Sequence, residues 1–270
     1  MPRFKLLIEY AGTRYSGWQI QKNARTIQGE IDHAIRTVAP KAAFELYGAG
    51  RTDAGVHALG QVAHLELHTA LPPATLAARL NDELPSDINI LSAEKVLHRF
   101  HARHDALARS YLYQIARRRT AFAKPYVWWI KEDLDAAAMR EAARSLVGMA
   151  DFRSFTDDDP DEKSTLVEIS DLTVVESGAL ILIRVVGSHF LWKMVRRIVG
   201  VLAEAGKGRL NAASAGRFLA EHSGVPATLT APASGLFLER VVYPGDARDW
   251  PIRPAIGLAA FHTERPRRPI

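Results

Sequence analysis

The chain has 270 residues, 47% of them apolar and 24% charged, with a net charge of +5, a pI near 9.5 and no cysteine. That size suits one large domain or two compact halves with a real core, and the missing cysteines exclude disulfides, thiolate nucleophiles and cysteine-ligated zinc. No apolar run approaches a spanning helix, and the start MPRFKLLIEYAG lacks the apolar region and cleavage site of a secretory signal, so a cytoplasmic setting is expected.

In residues 3–10, Phe4, Leu6, Ile8 and Tyr10 alternate with polar positions, which predicts a strand. Thr26 is placed to cap a helix with the buried stripe Ile27, Ile31, Ala34, Ile35 and Val38. A short strand at 43–47 precedes the loop GAGRTDAGVHALG, 48–60. Ala63, Leu65 and Leu67 mark the next strand, 72–85 a helix bounded by prolines, and 87–96 a closing strand. The order is β-α-β-β-α-β.

The second half predicts the same order. It has a strand at 109–116, and a helix marked by Leu134, Ala138, Ala142 and Leu146 and ended by Gly148. Strands at 171–175 and 179–186 meet at a Glu176-Ser177-Gly178 turn. Helices follow at 189–204 and 211–221, then a last strand at 235–243. The expected fold is α+β: two ferredoxin-like halves, 1–105 and 106–245, share a joined, mostly antiparallel sheet with an active-site cleft between them. An irregular tail occupies 246–270. Positive charge gathers at Arg117, Arg118 and Arg119, at Arg196 and Arg197, and at Arg265, Arg267 and Arg268, which suits a polyanionic partner or an ordinary solvated surface.

The loop 48–60 carries a lone carboxylate, Asp53. Gly50 and Gly55 have P-loop spacing, but Val56-His57 stands where the lysine belongs; Gly48 and Gly50 begin a dinucleotide fingerprint, but Asp53 would repel a pyrophosphate. A plain turn and a ligand-binding loop both stay open. The glycines and alanines would let a planar ligand approach the backbone. Arg51 beside Asp53 is expected to keep it ionised, ready to act as nucleophile or base. His98, His101 and His104 are spaced by three, but no cysteine or carboxylate completes a metal set, so neither metal nor cofactor is expected.

GRTDAGVHALGQV, 50–62, resembles the signature of the tRNA pseudouridine synthase A family. YAGTRYSGWQIQ (10–21), TIQGEIDHAI (26–35), FHARHDALARSYLYQI (100–115), DFRSF (151–155), FLWKMVRRIVGVL (190–202) and APASGLFLERVVY (231–243) resemble further blocks of that family in order. The resemblance implies isomerisation of uridine to pseudouridine at positions 38, 39 and 40 of the tRNA anticodon stem-loop, by a cofactor-free cytoplasmic homodimer. Asp53 matches the catalytic aspartate, which either attacks the sugar carbon or first takes a proton. Arg51 matches the arginine that holds the nucleotide flipped out. Tyr111 matches the ring that packs on the uracil, with a hydroxyl available for the C5 proton transfer. Arg196, which points away from the apolar arc of its helix, matches a partner of the aspartate across the cleft. Leu236 matches a wall of the uracil slot. Ala11, Arg197, TLVEIS (165–170) and the acidic DDDPDEK (157–163) depart from the family pattern and bear on RNA positioning. The alternative is a basic RNA-binding module or tRNA folding aid without turnover.

Overall fold

A computed structural model of the chain describes residues 1–260. Arg265, Arg267 and Arg268 lie outside the described residues. The first half runs β1 (Arg3–Tyr10), α1 (Ile27–Val38), β2 (Phe44–Gly48), β3 (His57–Leu67), α2 (Pro73–Glu83) and β4 (Ile88–Val96). Phe4, Leu6, Ile8 and Tyr10 of β1 are buried against Ile27, Ile31 and Ile35 of α1 and Leu76 and Leu80 of α2. Thr26 caps α1, its Oγ1 accepting from Gly29 N at 3.2 Å. Thr26→Ala leaves that N–H without its partner and is expected to cost about 1 kcal/mol, read as a lower urea midpoint at unchanged slope.

The second half runs β5 (Ala108–Ala116), β6 (Trp128–Trp129), α3 (Ala136–Arg144), β7 (Gly148–Asp151), β8 (Leu166–Ser177), β9 (Leu180–Gly187), α4 (Met194–Gly206), α5 (Ala212–Ala220), α6 (Val225–Thr228) and β10 (Leu236–Val242). The strands join in one largely antiparallel sheet of order β4-β1-β3-β10-β5-β9-β8-β7, with β2 paired to β3 and β6 to β5. The order β4-β1-β3-β2 recurs as β10-β5-β9-β8. The halves meet where β10 runs parallel to β3, through the pairs Phe237–His57 and Leu238–Ala58. Leu238 also pairs with Tyr111 of β5. Directly paired residues share a face, so Ala58, Leu238 and Tyr111 place both helical layers on one side of the sheet.

Three expectations for the second half are corrected. The helix predicted from 189 begins at Met194, because Lys193 takes a left-handed conformation, φ 62°, and segment 188–193 stays irregular. The strand predicted at 171–175 begins at Leu166. Gly148, φ 111°, opens β7 instead of ending a helix; α3 is capped at its start by the Asp135 carboxylate and finishes at Arg144. The stretch after 245 has no regular element through residue 260, and part of it packs on the sheet. Ile252, Ala255 and Leu258 cover Leu112, Leu182 and Phe237 on the helix-free face. The Trp250 ring lies 5.0 Å from the guanidinium of Arg184 and 5.0 Å from that of Arg240.

Candidate active site

Asp53 lies on the loop 49–56 between β2 and β3, and the segment YAGTRYSGWQ shapes that loop. Trp18 N donates to Thr52 O at 3.0 Å and Gly55 N to Tyr15 O at 3.2 Å. The Tyr10 hydroxyl and Thr52 Oγ1 are 2.8 Å apart, and Gly12 N donates to His57 Nδ1 at 3.0 Å. Gly17 has φ +92°, and a Cβ there would lie 2.5 Å from Thr52 O, so only glycine lets this cradle close on the loop. Within the loop the expected open backbone is found at Gly50, where a Cβ would meet nothing within 4 Å. At Gly48 it would strike the Trp18 ring at 2.7 Å, so that glycine serves packing.

A cavity of about 780 Å³ opens beside the loop, and its lining includes Arg51, Asp53, Tyr111, Arg196 and Leu236. The first two come from the β2–β3 loop, Tyr111 from β5, Arg196 from the first turn of α4 and Leu236 from the start of β10. Leu236 is buried in the core of the second half. The Tyr111 ring meets Phe190 edge-on, with centroids 5.1 Å apart. Burial first, and then the Asp53 charge, push the Tyr111 hydroxyl well above the usual phenol range. Any proton transfer at this group therefore starts from the neutral phenol.

Arg51 does not play the electrostatic part expected of it. It is exposed, and its Nε donates to Gln19 Oε1 at 3.1 Å. Asp53 is governed by other groups. Burial, the largest influence, raises its pKa above the ordinary 3.8; Arg196, then Lys193, then a hydrogen bond from the Trp192 side chain oppose the rise. The carboxylate is thus partly desolvated, its charged form favoured by cations from α4 and the residue that precedes it. Arg196 is half-buried in the cavity wall instead of facing solvent. Its Nε donates to Ala231 O at 2.6 Å, and Ala231 N donates back to Arg196 O at 3.0 Å. That double clip holds the guanidinium toward Asp53 without a direct ion pair between them among the described residues.

Sequence reasoning missed several neighbours. Arg109 lines the cavity and is a hub: Nη2 donates to Ala49 O at 3.1 Å and Arg103 O at 2.7 Å, while Nη1 donates to Ala106 O at 3.2 Å and Ser188 O at 3.0 Å. Its place two residues before Tyr111, on the same strand face, was the available signal. Trp192 and Lys193 were hidden by reading 189–204 as a continuous helix. Arg197 is not part of a basic surface, being 3% exposed and paired with Asp157. Lys193 Nζ reaches the same carboxylate at 2.8 Å. Asp158 accepts from Trp192 N at 2.9 Å and from Lys163 Nζ at 2.8 Å. Arg117 pairs with Glu176 and Arg118 donates to Ala259 O, so that basic run is also largely engaged. Among the described residues no group of three or more His, Asp or Glu is arranged to hold a metal ion, and no helix is long and apolar enough to cross a membrane.

A family profile described as tRNA pseudouridine synthase matches residues 6–105 and 142–244. Over 246 residues, 90% of this chain, it is 42% identical to the whole of a tRNA pseudouridine synthase A of Rhodopseudomonas palustris. It is 40% identical, over the same share of both chains, to a tRNA pseudouridine synthase A 2 of Bacillus cereus. A tRNA pseudouridine synthase A of Afipia carboxidovorans is matched at 42%, also over its full length. Matches of this length span both halves of the sheet, so the chain belongs to the tRNA pseudouridine synthase family, enzymes that isomerise uridine to pseudouridine in tRNA.

Proposed function

We propose that the chain isomerises uridines 38, 39 and 40 of the tRNA anticodon stem-loop, with Asp53 as the catalytic carboxylate. The observation that carries this reading is the convergence of Asp53, Tyr111, Arg196 and Leu236 on one cavity. The reaction breaks the bond from ribose C1′ to uracil N1 and forms one from C1′ to C5; the C5 proton leaves and N1 takes one up, so the product is an isomer of the substrate. Asp53 serves it either by attacking C1′ or by taking a sugar proton as the base departs. Tyr111 stacks on the uracil and Leu236 closes the slot. Arg51, at the exposed rim, is suited to hold the strand from which the nucleotide has swung out. The chemistry closes with protein groups alone.

The repeated strand order supports two ferredoxin-like halves, 1–105 and 106–245, and a site built from both. The family resemblance alone carries a cytoplasmic homodimer; a mass of one chain by light scattering would remove the dimer. A non-catalytic RNA binder has no use for a desolvated carboxylate facing an anionic ligand, which costs binding. The test is tritium release from unmodified tRNA labelled at uridine C5, using transcripts with a single uridine at 38, 39 or 40. Release from these, and none from transcripts with uridine only elsewhere in the stem-loop, is the expected result. Binding without release from any transcript would return the chain to the binder class.

A further inference from the structure

Within two residues of the cavity-lining Ala49 and Arg103 stand the ends of a row of rings with no part in the chemistry above. Tyr47 of β2 stacks on His64 of β3, centroids 5.2 Å apart and planes 25° from parallel. His64 meets His101 at 4.6 Å, and His101 meets His104 at 4.2 Å. Tyr47 and His101 are themselves 6.1 Å apart. The middle of the row is anchored: His64 is 1% exposed and accepts from Ala102 N at 3.1 Å. Its ends are not covered. Tyr47 is 49% exposed and His104 is exposed.

The row is fastened to the catalytic loop. One nitrogen of Arg109 holds the carbonyls of both Ala49 and Arg103. Tyr47 lies two residues before the first and His101 two residues before the second. Arg103 is exposed and lines the same cavity as Asp53, and the exposed Arg99 stands two residues before His101 in sequence. Two exposed rings, each within two residues of the cavity-lining Ala49 or Arg103, have the chemistry of a nucleotide-stacking surface: rings for a base, guanidiniums for its phosphate.

We propose that Tyr47, His101 and His104, with Arg103, hold an unpaired nucleotide of the substrate RNA next to the flipped uridine. This rests on the reading of the chain as a tRNA-acting enzyme and adds a second base-binding position to it. The fastening through Arg109 then couples docking on the rings to the position of the Asp53 loop.

The test measures the equilibrium Kd for an unmodified tRNA transcript together with kcat and KM for tritium release. Tyr47→Ala and His104→Ala are each expected to weaken Kd and raise KM about tenfold, the scale of one lost base–ring contact, with kcat within about twofold. Tyr47→Phe and His104→Phe keep the ring and are expected to stay near wild type, which a loss of fold or of a polar contact would not allow. Unchanged Kd in both alanine variants overturns the proposal, and so does an equal loss in the phenylalanine variants. Weakened binding that follows a change in oligomeric mass would assign the rings to a subunit contact and also overturn it. Because Kd is read without turnover, a wild type that binds but releases no tritium sinks the catalytic reading and leaves this test standing.

Discussion

Asp53→Asn is expected to bind tRNA and to lose at least about 10,000-fold in kcat, roughly 5.5 kcal/mol of barrier. The amide keeps the shape of the loop but can neither attack C1′ nor take a proton. The pH profile of the wild type gives a sharper form of the prediction. Burial raises the Asp53 pKa, so the acid limb of kcat/KM should fall at higher pH than for a solvated carboxylate. Arg196 is the leading cation working against burial, so Arg196→Gln should move that limb to still higher pH while lowering the plateau. A limb that does not move would separate Arg196 from the charge of Asp53. Stability should change in the opposite sense. A carboxylate whose folded pKa is raised carries no penalty below its unfolded pKa, 3.8, and an increasing one as the pH climbs from there through the folded value. At neutral pH Asp53→Asn should therefore melt higher than wild type, as expected where reactivity is kept at the expense of stability.

Asp157→Ala is expected to destabilise the fold by about 2–3 kcal/mol. Arg197 is almost fully buried, and among the described residues its Nε has no hydrogen-bond partner, so its charge relies on Asp157. Removing one member of a fully buried pair costs roughly 3–5 kcal/mol, but the Asp157 side chain is 36% exposed and water can relax into the gap, which lowers the figure. Asp157→Ala combined with Arg197→Met should recover most of the loss, because an apolar side chain of similar length needs no counter-charge. A double variant as unstable as the single one would show that the acidic loop matters for some other reason. The pair also has a pH signature. Hydrogen bonding from Lys193 first, then from Arg197, depresses the Asp157 pKa. Its contribution is complete above the unfolded value of 3.8 and disappears as pH falls through the lower folded one. Acid unfolding of the wild type should thus be steeper than that of the double variant.

Asp157 and Arg197 also show where sequence reading failed. Each looked like a departure bearing on RNA positioning, and each explains the other: a run of carboxylates is present where a buried guanidinium needs one. They are 40 residues apart, and no local pattern pairs them. The first half was legible because its signals are local. The alternation in β1, the Thr26 cap and the prolines around α2 act within a few residues of one another, and the elements fall close to the expected bounds. The second half depends on longer-range fits. The apolar arc of α4 continues backward through Leu191 and Phe190, so periodicity alone extends the helix past Lys193. What stops it is an αL turn held by Asp157 and Asp158. The two-residue β6 and four-residue β7 are too short to show a period. In the cavity, side chains carrying the family motif could be read from sequence. Arg109 could be placed on the Tyr111 face but its partners could not, because it bonds four backbone carbonyls spread from Ala49 to Ser188.

The seam between the halves bears on how the molecule is made. Among the described residues β10 is the last strand in chain order, yet it lies at the centre of the sheet, between β3 and β5. Until residue 242 has left the ribosome, both of those strands present open edges, and the Leu236 wall of the cavity is missing. A nascent or prematurely terminated chain therefore carries two adhesive borders and no complete pocket. Its route to the native state includes a late segment entering between two strands already made, a stage at which chaperone protection would matter most.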